Sequence, residues 1–118
     1  MKEIVSPIMI EGGLAVESED YKLIVTIVNK GKGEKVADIA HQAGAQGGTV
    51  LYGRGTAVRL LLGISIEPEK EIFLTLIQKE NAQAVLDAIV KKMNLNEPHK
   101  GIAFMLSLDQ VTGINKGE

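Results

Sequence analysis

The two halves of the chain repeat one pattern of apolar and polar residues. In the first half, the apolar pair Ile27-Val28 is followed by Asn29-Lys30, and in the second half Leu76-Ile77 is followed by Gln78-Lys79. After each pair comes an amphipathic segment with apolar residues at helical spacing, and after each segment comes a further apolar run. The repeat therefore predicts two consecutive β-α-β units in one chain.

Four strands and two helices account for most of the chain beyond residue 20. We predict strands at 22–28, 49–52, 70–78 and 102–108, helices at 34–43 and 80–93, and a short edge strand at 111–114. The first strand is almost continuously apolar, which is typical of a central strand buried on both faces. Gly44 follows the first helix, where a glycine commonly ends a helix. The order β-α-β-β-α-β predicts an α+β fold, the ferredoxin-like plait.

The length of the chain suits a single domain, because it has 118 residues. We expect residues 1–20 to form an N-terminal extension with one short strand, and residues 21–118 to form the ferredoxin-like domain. The apolar run at residues 4–10 is interrupted by Ser6 and Pro7 and has only Lys2 as a basic residue before it. We therefore expect no signal peptide.

Composition excludes several classes of partner. The net charge of −2 provides no electrostatic attraction for nucleic acid or for an acidic membrane. No apolar stretch approaches the roughly 18 residues that a membrane span needs, so we expect no direct membrane insertion. Cysteine is absent, which excludes disulfides and thiolate metal sites and suits a reducing, cytoplasmic environment.

The sequence offers little for catalysis. It contains two histidines, His41 and His99, and it lacks a nucleophile elbow, a histidine pair at metal-ligand spacing and a phosphate-binding P-loop. His41 is expected at the surface of the first helix. Glu67, Glu69 and Glu71 alternate by two and would share one face of an extended segment, where we expect a solvated strand edge rather than a metal site. We therefore predict a protein that is not an enzyme and holds no metal.

Glycines flank the predicted second strand. Gly47 and Gly48 precede it, and the turn Gly53-Arg54-Gly55 follows it. Glycine lets backbone N–H groups approach a phosphate closely, and arginine binds phosphate through two parallel hydrogen bonds. Tight turns around a short strand explain the same glycines equally well. The lysines that would add positive charge around the same anion are Lys30, Lys32, Lys70 and Lys100.

Four segments, taken in order, resemble the P-II nitrogen-regulatory signal protein family. They are Gly44-Ala45-Gln46-Gly47-Gly48-Thr49-Val50, Gly53-Arg54-Gly55-Thr56, Ile66-Glu67-Pro68-Glu69-Lys70-Glu71-Ile72 and Gly101-Ile102-Ala103-Phe104. Their order and spacing on a duplicated β-α-β unit carry the resemblance, which spans residues 22–114. Short-loop P-II-like proteins are the members that the chain resembles most.

The resemblance implies a homotrimer of ferredoxin-like subunits without a catalytic cofactor. Members of the family bind an adenine nucleotide, ATP or ADP, as an effector in the clefts between subunits. A loop after the second strand, residues 53–68 here, then contacts a regulated enzyme or membrane transporter. By position, Thr49 is similar to the threonine that contacts adenine. Lys70 is similar to a lysine at the start of the third strand, and Gly101 to the second glycine of the phosphate-binding loop.

The chain departs from the family at the phosphate-binding positions. The family's lysine is Ile102 here, and its two C-terminal arginines fall at Gly113 and Asn115. The first glycine of the phosphate-binding loop falls at His99, and the loop at 53–68 has no tyrosine for uridylylation. The resulting set of candidate binding residues is Thr49, Gly53, Arg54, Gly55, Lys70, His99, Lys100 and Gly101.

We expect Arg54 or Lys100 to replace the missing phosphate contacts in a cytoplasmic, trimeric signal protein that senses an adenine nucleotide or a related small anion. Leu60, Leu61 and Leu62 make the 53–68 loop apolar. They predict either a contact with a hydrophobic pocket on the partner or a strand extension packed inside the trimer. The alternative function is that of a trimeric ion-tolerance or small-ligand-binding protein of the same plait, similar to the copper-tolerance family.

Overall fold

The computed structural model of the chain describes residues 9–10, 13–14, 20–56, 59–61, 64–66 and 68–114. Eight strands are present in this part: β1 (Met9–Ile10), β2 (Gly13–Leu14), β3 (Tyr21–Asn29), β4 (Thr49–Arg54), β5 (Arg59–Leu61), β6 (Ile64–Ile66), β7 (Glu69–Gln78) and β8 (Gly101–Ser107). The two helices are α1 (Gly33–Gln42) and α2 (Lys79–Lys92). No helix among these residues is long and apolar enough to cross a membrane.

The two predicted β-α-β units are β3-α1-β4 and β7-α2-β8. Their strands form one antiparallel sheet in the order β4-β7-β3-β8, so that β3 and β7 are central and β4 and β8 lie at the edges. Both helices pack on one face of this sheet. The predicted α+β ferredoxin-like fold is therefore confirmed.

The hydrophobic core lies between the helices and the sheet. Strand alternation directs Ile24 and Val28 of β3 and Phe73 and Ile77 of β7 to the helix face. These side chains pack with apolar residues of α1 and α2, namely Val36, Ile39, Ala40, Ala82, Val85 and Ile89. The helical spacing seen in the sequence thus corresponds to the buried stripes of both helices.

The opposite face of the sheet, which we call the open face, is also apolar. It carries the alternate residues of all four strands, and no described helix covers it. Its large side chains are between 37% and 55% exposed at Leu51, Leu76, Ile102, Phe104 and Leu106. The prediction that the first strand is buried on both faces is met only in part, because Val25 is buried on the open face whereas Leu23 and Ile27 are half-buried.

Some element boundaries differ from the prediction. Strand β4 continues to Arg54, so Gly53 and Arg54 belong to the strand and not to a turn. The loop predicted at 53–68 contains the β5–β6 hairpin, in which Arg59 pairs with Ile66. Residues 57, 58, 62, 63 and 67 lie outside the described residues. At the predicted edge strand 111–114, only a single bridge residue, Val111, has strand pairing.

Of the predicted N-terminal extension, the described part is the short antiparallel pair β1–β2, in which Met9 pairs with Leu14. The other residues between 1 and 19 lie outside the described residues. The division into an extension at 1–20 and a domain at 21–118 stays a prediction.

Gly48 brings the segment before β4 into close contact with β7. A Cβ atom at this position would lie 2.5 Å from the ring of Phe73 and 2.6 Å from the carbonyl oxygen of Leu74. The hydroxyl of Thr75 donates a hydrogen bond to the carbonyl of the preceding residue, Gly47. The Gly47-Gly48 pair therefore lets the edge strand approach its neighbour more closely than a side chain would permit.

Gly48→Ala should lower the free energy of unfolding by about 1–3 kcal/mol, because the added methyl group overlaps the Phe73 ring and the Leu74 carbonyl. Gly47→Ala is the matched control, since no atom lies within 4 Å of a Cβ at that position. Urea denaturation measures both values. Equal effects of the two substitutions would contradict the close approach at Gly48.

Candidate ligand-binding site

Seven of the eight candidate binding residues lie at one end of the four-stranded sheet. At this end β3 finishes at Asn29, β7 begins at Glu69, β4 finishes at Arg54 and β8 begins at Gly101. Antiparallel pairing brings these four strand ends to the same end of the sheet, which we call the ligand end. Thr49 is the exception, because it begins β4 at the other end of that strand.

A chain of hydrogen bonds joins three strands at the ligand end. The ammonium group of Lys70 donates to Oδ1 of Asn29 at 2.8 Å. The amide nitrogen Nδ2 of Asn29 in turn donates to the backbone carbonyl of His99 at 3.1 Å. Because the Asn29 side chain uses its acceptor towards β7 and its donor towards the turn before β8, its orientation is fixed by both neighbours.

The Lys70 charge has no carboxylate partner within the described part of the chain, where its one hydrogen bond goes to the neutral amide of Asn29. Lys70 is half-buried, and strand alternation places it on the open face together with Ile72. An ammonium group has three N–H donors, so two remain for a ligand. The ligand end therefore offers a positive charge at the border of an apolar surface.

The turn before β8 is held by unusual backbone angles. His99 has φ of 65° and Gly101 has φ of 140°, both in the left-handed region. At Gly101 a Cβ atom would lie 2.6 Å from the carbonyl oxygen of Ile27, so only glycine permits this approach of β8 to β3. The turn presents the His99 carbonyl to Asn29 and leaves Lys100 exposed.

The candidate residues do not meet at one point within a single chain. Arg54 lies on the edge strand β4, whereas Lys100 precedes the opposite edge strand β8. Three strand spacings separate these edges, which is about 14 Å between backbones. Gly53 pairs with Lys70, and the N–H of Gly55 donates to the Pro68 carbonyl at 2.7 Å, so the two glycines close the base of the loop at 53–68.

Thr49 lies beside a separate open groove on the sheet edge. From Gly53 it is four residues along β4, or about 13 Å. The groove has a volume of about 480 Å³ and is lined by Leu23, Gly47, Gly48, Thr49, Leu74 and Leu76. At the far end of the sheet from Asn29 and Lys70, a second groove of about 220 Å³ is lined by Asp20, Tyr21, Gln78, Glu80 and Asn81.

Glu71 was predicted to lie at a solvated strand edge, and this prediction is wrong. The side chain is 9% exposed, and its carboxylate accepts the backbone N–H of Gly31 at 2.8 Å and of Gly33 at 2.7 Å. Helix α1 has Lys32 at its N-cap position and no side-chain cap of its own. The first N–H groups of a helix need acceptors, so Glu71 caps α1 from a neighbouring strand.

Glu69, two residues earlier, is exposed as predicted and forms a salt bridge of 2.7 Å with Lys30. The hydrogen bond to Glu69 raises the pKa of Lys30, and the same bond lowers the pKa of Glu69. Stability gained through Glu69 is lost as pH falls through its folded pKa, and stability gained through Lys30 is lost as pH rises through its folded pKa. Water and salt screen this exposed pair, so its contribution is small.

Two residues of this end, Asn29 and Glu71, were absent from the candidate set. Asn29 ends the apolar first strand, and its partners come from distant parts of the sequence. Glu71 had a detectable signal, because strand alternation groups it with Phe73, Thr75 and Ile77 on the helix face. A carboxylate in that row, facing a Gly-Lys-Gly turn, indicates a cap rather than a solvated side chain. Within the described residues, no three His, Cys, Asp or Glu side chains are grouped as a metal site.

Gly33→Ala tests the Glu71 cap by the sign of its effect on stability. Alanine normally stabilises a helix by about 1 kcal/mol relative to glycine. A Cβ on Gly33 would lie 2.5 Å from Oε1 of Glu71 and would displace the carboxylate. Since hydrogen bonds to charged groups are worth about 1.5–3 kcal/mol, we expect a net loss of about 1 kcal/mol in urea denaturation.

In a Glu71→Ala background, the Gly33→Ala substitution should no longer destabilise the protein, because the displaced carboxylate is already gone. A gain in stability from Gly33→Ala in the unmodified chain would contradict the cap.

Solved structures of PII, GlnK and CutA proteins are similar to this fold. PII from Arabidopsis thaliana bound to citrate is 20% identical, with 84% of this chain and 87% of that chain covered and a TM-score of 0.61. The GlnK-ATP complex of B. subtilis is 13% identical, with 76% and 85% covered and a TM-score of 0.61. CutA from Synechococcus elongatus is 14% identical, with 83% and 85% covered and a TM-score of 0.56. At these identities the likeness establishes the fold alone.

A comparison with curated proteins gave no significant match. The model of the nitrogen regulatory protein P-II family, by contrast, matches residues 21–118, which is most of the chain. The structural likeness alone does not separate PII from CutA, whereas the family model does. The chain therefore belongs to the P-II family.

Proposed function

We propose that this chain is a cytoplasmic P-II-like signal protein that binds an adenine nucleotide or a similar small anion in clefts between the subunits of a homotrimer. It regulates a partner enzyme or transporter through residues 53–68 and does not catalyse a reaction. The observation that carries the proposal is the half-buried Lys70 ammonium, which is held by a neutral amide at the border of the open face.

The open face supports assembly. Five large apolar side chains there are between 37% and 55% exposed in the single chain, and so many on one sheet face are unusual for a monomeric protein. Burying them against neighbouring subunits removes this surface from water. The border of the open face, where Lys70 lies, then becomes the wall of a cleft between subunits.

The position of the cations supports a ligand shared between subunits. Arg54 and Lys100 lie at opposite edges of one sheet, an arrangement that suits an anion contacted by two subunits. Lys70 and Asn29 lie on the two central strands between them. The two free donors of the Lys70 ammonium suit a phosphate or a carboxylate, and relatives of this fold are described as a GlnK-ATP complex and as PII bound to citrate.

The β5–β6 hairpin supports a role for the 53–68 segment in partner contact. It forms a two-stranded sheet of its own, separate from the four-stranded sheet. An isolated two-stranded hairpin is marginally stable in water, so it gains order when it packs against another surface. The glycines at the base of the segment connect it directly to the strand that carries Lys70, which places partner contact next to the ligand.

The alternative is a trimeric ion-tolerance or small-ligand-binding protein, and the likeness to CutA favours keeping it. A metal ion would then need ligands from more than one subunit, because no metal-binding group occurs within the described residues of one chain. Stabilisation by copper or zinc without stabilisation by nucleotides or citrate would favour this alternative.

Thermal shift and calorimetry with ATP, ADP, AMP and citrate test the anion site, since a ligand that binds only the folded state raises apparent stability. Replacing the Lys70 ammonium removes a charged hydrogen bond, so Lys70→Ala should weaken binding by about 1.5–3 kcal/mol. Arg54→Ala and Lys100→Ala should weaken nucleotide binding more than citrate binding, because they extend the site across the cleft.

Lys79→Ala is the matched control for charge, because Lys79 is the exposed first residue of α2 and lies at the opposite end of the sheet from the ligand end. It should leave every titration unchanged. Binding that is insensitive to Lys70→Ala, or no binding of any of the four anions, would exclude this site.

Light scattering tests the assembly. Ile102 is 55% exposed on the open face, so Ile102→Asp should be tolerated by the single chain but should dissociate the trimer to one third of its mass. Leu61→Asp in the β5–β6 hairpin is the control and should leave the trimer intact. A monomer for the unmodified chain at micromolar concentrations, or a trimer for Ile102→Asp, would contradict assembly through the open face.

A further inference from the structure

Three consecutive residues at the start of β7 each contact either the end of β3 or the turn that joins β3 to α1. Glu69 binds the Lys30 ammonium, and its carbonyl accepts the Lys30 N–H at 3.2 Å. The next residue, Lys70, binds the side chain of Asn29. Glu71 then binds the backbone N–H groups of the two glycines in the turn. Three successive residues at the base of the 53–68 segment are thereby attached to the end of β3 and to the turn that follows it.

Of these three attachments, the one made by Glu71 is buried and the most restrictive. Both carboxylate oxygens are used, with hydrogen bonds of 2.8 Å to Gly31 and 2.7 Å to Gly33. Gly31 adopts φ of 89°, and Gly33 leaves no space for a side chain beside the carboxylate. The turn therefore has a backbone conformation that fits this one acceptor, and charged hydrogen bonds out of water are short and directional.

Glu71 and Lys70 act on opposite faces of the same strand. Alternation places the Glu71 carboxylate on the helix face, against the turn, and the Lys70 ammonium on the open face, against Asn29. Asn29 is the last residue of β3 and lies two residues before Gly31. Glu71 binds Gly31 and Gly33, which are close to Asn29 in the chain, and it directly follows Lys70. It is therefore connected to both residues of the Asn29–Lys70 contact from the helix face of the sheet.

We propose that Glu71 is a positioning residue for the anion site: it never touches the ligand, and it sets the distance between Lys70 and Asn29 by holding the turn at 31–33 against β7. This inference rests on the proposed function, because it assigns a role at the same site. The competing explanation is that the β3–β7 ladder, which pairs Asn29 with Lys70, holds the site without the carboxylate.

The sign of the effect on affinity separates positioning from electrostatics. Removing a negative charge next to a cationic site strengthens the attraction for an anion, so Coulomb's law alone predicts tighter binding by Glu71→Ala. The positioning role predicts the opposite, a dissociation constant for ATP or citrate raised about five- to tenfold by the loss of charged hydrogen bonds that hold the site. Glu69→Ala removes the same charge from an exposed position and should leave binding unchanged or slightly tighter.

A double-mutant cycle tests whether Glu71 acts through Lys70. If it does, Glu71→Ala should add less than about twofold to the dissociation constant in a Lys70→Ala background, because coupled residues are not additive. Glu71→Gln, which keeps one acceptor oxygen, should give an intermediate effect and covers the case in which Glu71→Ala fails to fold. Full additivity, or binding unchanged by both Glu71 variants, would overturn the inference.

A measurement without ligand keeps this test separate from the proposed function. In ¹⁵N NMR, Glu71→Gln should move the side-chain amide signal of Asn29 towards that of a free asparagine and should speed exchange of the Gly31 and Gly33 amides. Glu69→Ala should leave all three signals in place. If Lys70→Ala does not affect anion binding but these signals move, the proposed function fails and the positioning of Asn29 stands. If the Asn29 signal does not move, the positioning role is wrong whatever the ligand.

Discussion

The sheet is apolar on both faces, but helices cover only one of them. The rest of this structure follows from that constraint. The helices bury Ile24, Val28 and Phe73, whereas Ile102 and Phe104 on the open face stay in contact with water. Such a face favours burial against other protein, so the fold and the proposed assembly depend on the same strands. The polar residues of the ligand end lie where this apolar surface stops.

The duplicated unit, the helices and the four main strands could be predicted from the sequence because they depend on local periodicity. Contacts that depend on strand register could not. Asn29 meets Lys70 and the His99 carbonyl only after β3 has paired along its whole length with both neighbours. Glu71 could have been recognised from its row of buried neighbours, but its glutamate neighbours at every second position suggested a solvated edge. The length of β4 was underestimated because glycines were taken as turn residues, although Gly53 pairs within the strand.

The chain lacks the lysine and the two arginines that the resemblance to the P-II family implies at the phosphate-binding positions. Its charged groups at the ligand end are placed differently. Helix α1 begins at the ligand end, and a helix N-terminus is a common place for an anion. Here the Glu71 carboxylate already occupies it from within the chain. Lys30 is likewise committed to Glu69. At the ligand end, the charge left for a ligand on the two central strands is that of Lys70, which is paired with an amide and not with an acid.

The order β4-β7-β3-β8 has an approximate twofold symmetry, because exchanging the two repeats leaves it unchanged. The groove lined by Asp20, Gln78 and Glu80 is therefore the counterpart of the ligand end, with Gln78 in the place of Asn29. The two ends share one backbone plan but differ in polarity: one presents an ammonium group and the other two carboxylates. Two ends with the same backbone arrangement therefore differ in charge, and the carboxylates of Asp20 and Glu80 disfavour a negatively charged molecule in the second groove.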